Sequence, residues 1–202
     1  MLINEEFINS KIIDEYKKLL SIRLNEKRYF HSLCVADEAK RLAKAYGADE
    51  SKAYLAGLLH DVTKNSPVAE HLQIFSTFGI ILTDVEKHGE KLWHAISGSA
   101  YVKHFLNIED EDIISAIRYH TTARADMTKL ETVLYLADFT SRDRDYDDVD
   151  VMRSLVDKSE NEALLYALKY TINELLDKGA AIHPDTVSAY NYVVLKGKEN
   201  EI

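Results

Sequence analysis

The chain has 202 residues with 46% hydrophobic content, enough to bury a sizeable core, and a formal net charge of −9 at pH 7. That charge argues against broad attraction to nucleic acid or to an anionic membrane surface, and no apolar run approaches membrane-spanning length. Cys34 is the single cysteine, so no intrachain disulfide can form.

With seven glycines, two prolines (Pro67 and Pro184) and plentiful Ala, Leu, Glu and Lys, the composition predicts an all-α fold. Residues 1–202 read as one domain with a polar tail from about residue 196, without repeat or linker. The first residues lack the basic region and apolar stretch of a secretion signal, so a cytoplasmic protein is expected.

Helical spacing of Phe7, Ile8, Ile12, Tyr16, Leu19 and Leu20 predicts a first amphipathic helix over residues 4–24. A second, over 29–46, turns Val35, Ala39 and Leu42 inward, with His31 on the same face and Gly47 as a stop. The outer faces of the terminal helices offer surface for a homodimer. Asp49 is placed to cap a third helix, which ends in Tyr54-Leu55-Ala56-Gly57-Leu58-Leu59-His60-Asp61. An apolar run that ends in an adjacent histidine and carboxylate calls for partners, since both are costly to desolvate alone.

The break at Asn65-Ser66-Pro67 precedes a short helix over 68–75, and residues 80–90 carry no clear pattern. A longer helix is expected over 90–106. On it His94, Ser97, Gly98, Tyr101 and Phe105 share one side, and small residues beside the histidine leave room for a bulky group. Over 110–120, His120 continues the row of Ile113, Ala116 and Ile117, and further on Asp138 continues that of Leu130 and Leu134. Residues 141–150, dense in Arg and Asp, read as a polar loop. Two amphipathic helices follow, one around 163–175 and one after His183-Pro184.

Imidazole nitrogens and carboxylate oxygens suit borderline transition metals. His31, His60, Asp61, His94, His120 and Asp138 could hold two ions if one carboxylate bridges them, and Asp61 is the natural bridge. One ion then takes His31, His60, Asp61 and Asp138, the other Asp61, His94 and His120. Such a pair activates water at neutral pH, which points to hydrolysis of a phosphoester or phosphoanhydride, with Asp61 and Lys64 as catalytic residues. Lys64, Arg124 and Arg144, and less directly Arg28, are candidate cations for the substrate's phosphates; Thr121 and Thr122 either bond a phosphate oxygen or cap the helix end.

The order His31, His60-Asp61, Asp138 resembles the HD-domain metal phosphohydrolases, and His94 and His120 between them resemble the two-metal branch. The phrases Arg28-Tyr29-Phe30-His31-Ser32, His60-Asp61-Val62-Thr63-Lys64, His120-Thr121-Thr122 and Tyr135-Leu136-Ala137-Asp138 are similar to the bacterial YqeK family, over about residues 10–195. That resemblance implies an HD-domain helical bundle with a metal site between helices. It also implies a di-iron centre that cleaves a dinucleoside polyphosphate, diadenosine tetraphosphate, symmetrically into two ADP. The chain departs from the family pattern at Ala123, where glycine is usual, and at Ser141-Arg142, where Glu-Pro is usual; Arg144 stands where an arginine is expected. Two other readings stay open: an HD hydrolase of another nucleotide (a nucleoside monophosphate, a cyclic nucleotide or a guanosine polyphosphate), or a regulator that keeps the metal box without turnover.

Overall fold

The computed structural model describes residues 10–199, and among them the secondary structure is helical throughout. The helices are α1 Ser10–Arg23, α2 Glu26–Tyr46, α3 Glu50–Leu59, α4 Val68–Thr77, α5 Asp84–His88, α6 Trp93–His104, α7 Glu111–Tyr119, α8 Lys129–Thr140, α9 Val149–Lys158, α10 Glu160–Asp177 and α11 Pro184–Glu199, with a 3-10 turn Glu90–Leu92 leading into α6. No helix among them is long and apolar enough to cross a membrane.

Local chemistry sets most of these boundaries. Asn25, Asp49, Asp110 and Ser159 each accept from a free N–H of the helix they precede, and Thr83 and Thr128 close capping boxes with Glu86 and Glu131. Gly47 ends α2 at φ 75°, a left-handed conformation in which a Cβ would be strained.

α2 lies at the centre, packed along α3 and α8, while α3 also meets α7 and α8 and α6 rests on α7 and α4. Their inner faces bury Val35, Leu42, Leu58, Leu59, Ile117 and Leu134. The same core extends from Leu20 in α1 to Ala189 in α11.

Several boundaries differ from expectation. The Asn25 cap starts α2 three residues before the predicted residue 29, and the 3-10 turn delays α6 to Trp93. The unpatterned stretch 80–90 contains α5, which its capping box starts. The helix α9 was not expected at all: Met152 and Val156 bury one narrow stripe, masked in the sequence by the charged segment before it. α11 continues into the predicted polar tail as far as Glu199. Phe7 and Ile8 of the predicted first helix lie outside the described residues.

Gly57 permits the close crossing of α2 and α3. A Cβ there would stand 2.8 Å from Ala36 Cα, in backbone that cannot swing aside. Gly57→Ala is therefore expected to cost about 1–3 kcal/mol through overpacking, read as a fall in Tm of several degrees by circular dichroism.

Candidate metal centre

Five stretches of the core carry the six predicted residues to one point, His60 and Asp61 arriving together. His60 and His120 stand immediately beyond α3 and α7, at their C-caps. At a helix C-terminus the last carbonyls lack intrahelical partners. Gly57 O and Ile117 O accept from the Nδ1–H groups of His60 and His120, each at 2.7 Å, which leaves both Nε2 atoms facing inward. His31 comes from the second turn of α2, His94 from the first turn of α6 and Asp138 from the last turn of α8.

Asp61 lies between two groups of imidazoles. Its Oδ2 faces His60 Nε2 at 3.4 Å and His31 Nε2 at 4.0 Å; its Oδ1 faces His94 Nε2 at 3.2 Å and His120 Nε2 at 3.8 Å. Asp138 Oδ1 completes the first group, 2.9 Å from His31 Nε2 and 4.0 Å from His60 Nε2. His94 and His120 bring their Nε2 atoms within 3.1 Å of one another.

Burial drives His94 well below the usual imidazole range and takes His120 down to about 4, so both are neutral and present lone pairs at pH 7. Burial would raise both carboxylates. Interaction with His60 and Lys64 instead holds Asp61 well below its ordinary value, as interaction with Arg144 and His31 does for Asp138. The donors fit a divalent cation: the neutral imidazoles of His94 and His120, ionised carboxylates, and two buried atoms, His60 Nε2 and Asp61 Oδ1, that have no hydrogen-bond partner. Within this set His31, His60 and Asp138 form one convergent group, and His60, Asp61 and His120 another.

The predicted cations divide. Arg28 Nη1 lies 2.7 Å from Asp61 Oδ2, closer than its sequence position suggested. Lys64 Nζ is 3.0 Å from His94 Nε2 and 3.9 Å from Asp61 Oδ1, and Arg144 pairs with Asp138. Arg124 is elsewhere, bonded to Glu131 at 2.9 Å and to the Ala125 carbonyl. Thr122 donates to its neighbour Ala123 and its carbonyl accepts from Thr186, a structural arrangement; Thr121 Oγ1 is buried without a partner. Ala123 adopts φ 56°, a conformation that favours glycine.

Two further results were not legible. The small residues after His94 leave no room for a bulky group. They let α6 close on the turn after α3, where Thr63 Oγ1 bonds both His94 O and Ser97 Oγ at 2.9 Å and Gly98 faces the His60 carbonyl. Asp143, read as part of a polar loop, lies 2.7 Å from His31 Nδ1.

Residues 28–143 match the HD domain, a span that includes all six converging side chains. The chain belongs to the HD-domain family. Within the family it stands with the YqeK-type branch, whose members are named symmetrical bis(5'-nucleosyl)-tetraphosphatases. The protein of that name from Bacillus subtilis (strain 168) is 38% identical over 172 residues, covering 85% of this chain and 92% of its own length. The Staphylococcus aureus (strain NCTC 8325 / PS 47) protein of the same name is 34% identical, over 89% of this chain and 93% of its own. A crystal structure from Clostridium acetobutylicum, described as an HD superfamily hydrolase involved in NAD metabolism, superposes with a TM-score of 0.88 at 38% identity. That superposition covers 91% of this chain and 97% of the other. The HD-domain phosphohydrolase expectation and the helical bundle expectation both hold.

Asp61→Asn keeps the shape of the residue that faces both imidazole groups and removes its charge. Its metal affinity should fall by more than the roughly 10–100-fold that loss of an outer-shell partner costs, measured by chelator competition on protein whose helical circular dichroism is unchanged.

Proposed function

We propose that this chain is a symmetrical dinucleoside tetraphosphatase, cleaving diadenosine tetraphosphate into two ADP at a centre of two transition-metal ions, with iron the expected metal. One observation supports this above the rest: Asp61 turns one oxygen toward each of two imidazole groups, the arrangement a bridging carboxylate requires. The names of the relatives supply the substrate. A cytoplasmic setting fits the single buried thiol, and residues 1–202 form one catalytic unit in this reading.

His31, His60, Asp61 and Asp138 would hold one cation and Asp61, His94 and His120 the other. When bound, such a pair would lower the pKa of water and stabilise charge that builds on phosphate oxygens. The chain's own groups then orient the substrate. Arg28 and Lys64 sit beside Asp61, and Arg144 beside Asp138, so three cations border the donors where a polyphosphate must lie. Lys64, partly exposed and 3.0 Å from His94 Nε2, is placed to hold an inner phosphate. Water adds to an inner phosphorus as the bond to the central bridging oxygen breaks, and ADP departs with that oxygen.

Metal-loaded protein incubated with diadenosine tetraphosphate should give ADP as its sole nucleotide product by ion-exchange chromatography. ATP and AMP in equal amounts would contradict the symmetrical cut. Lys64→Met should lower kcat/KM by about 10–100-fold, the worth of one hydrogen bond to a charged group, while bound metal measured by elemental analysis stays the same.

A further inference from the structure

His31 differs from the two histidines at helix C-caps in how its ring is oriented. His60 and His120 each use a carbonyl left free at the end of a helix. His31 is the sixth residue of α2, where the nearby carbonyls are engaged in the helix itself, so its Nδ1–H needs an acceptor from elsewhere. Asp143 Oδ2 supplies it at 2.7 Å, and the opposite edge of the ring, Nε2, then lies 2.9 Å from Asp138 Oδ1.

The acceptor is itself fixed. Ser141 Oγ, fully buried, donates to Asp143 Oδ1 at 2.8 Å, and Arg144 N closes a turn on Ser141 O at 3.0 Å. Arg153, from α9, donates to the carbonyls of Thr140, Ser141 and Arg144 at 3.0–3.2 Å and so clamps the turn from its other side. That turn sends adjacent side chains to the two edges of one imidazole: Asp143 to Nδ1, and Arg144 to within 3.4 Å of Nε2.

We propose that Asp143 is a positioning residue for the metal centre, holding His31 in the tautomer and orientation that aim Nε2 at a cation, with Ser141 and Arg153 fixing Asp143 in turn. This deepens the reading of the site as a metal centre and rests on it. His31 belongs to one of the two donor groups, so loss of Asp143 weakens one ion selectively. The other, held by Asp61, His94 and His120, keeps its affinity.

The test is metal titration with iron(II) or manganese(II) under anaerobic conditions, in competition with a chelator, on the full chain and on D143A and D143N, with Tm recorded for each. D143A should weaken one of two binding steps by about 10–100-fold and leave the other within about twofold. D143N should recover most of the loss, since its amide oxygen still accepts from Nδ1–H. Unaltered affinity in a folded D143A overturns the proposal, as does a D143N as weak as D143A, because charge rather than orientation would then matter. If D143A fails to fold, D143N decides alone: it supports the proposal by retaining both steps to within about tenfold and overturns it by losing one. If the unaltered chain takes up no metal, the metal-centre reading fails and this inference falls with it.

Discussion

Asp61 is 1% exposed, and an ionised carboxylate at that depth costs on the order of several kcal/mol unless its surroundings compensate. Four imidazoles, one guanidinium and one ammonium surround it. Much of the fold can be read as the means of assembling that shell. The crossing of α2 and α3 at Gly57 brings His31 beside the His60-Asp61 pair, and α6 closes the opposite side through Thr63 and Ser97.

Helix ends converge there as well. α3 and α7 both terminate at the centre, and Asp138 lies in the last turn of α8. A helix C-terminus carries partial negative charge from its unpaired carbonyls. Three such ends make the pocket favourable to cations before any ligand atom is counted. They also explain the ring geometry, because two of those orphan carbonyls become the acceptors that set His60 and His120. Secondary structure and donor orientation are therefore one decision in this part of the chain.

Much of this was legible in the sequence, and the limits are physical. His31, His120 and Asp138 share helical rows with apolar residues, and periodicity alone aimed them at the core. His60-Asp61 declared itself as a polar pair ending an apolar run. Asp143 did not, because in a loop without periodicity nothing distinguishes a carboxylate that meets an imidazole from its solvated neighbours. Arg124 shows the converse failure: its charge made it a candidate cation for the substrate's phosphates, yet Glu131, itself drawn in by the α8 capping box, holds it away. The small residues of α6 were ambiguous for a related reason, since a row of Ser and Gly permits either an empty space or a close helix approach, and the Thr63 hydroxyl decided for the approach.

Net charge and local charge work in opposite directions in this molecule. At −9 the chain repels a polyphosphate at long range, so encounter gains nothing from electrostatic steering. Screening at physiological salt confines that repulsion to about 8 Å from exposed charges. Inside that distance the relevant groups are Arg28, Lys64 and Arg144, each partly buried and each within reach of the donors. Buried pairs are screened far less than exposed ones, so the local cations prevail once an anion is seated. On the proposed function, attraction begins at the pocket, and selection among anions falls to whichever one can span those three side chains beside the metal centre.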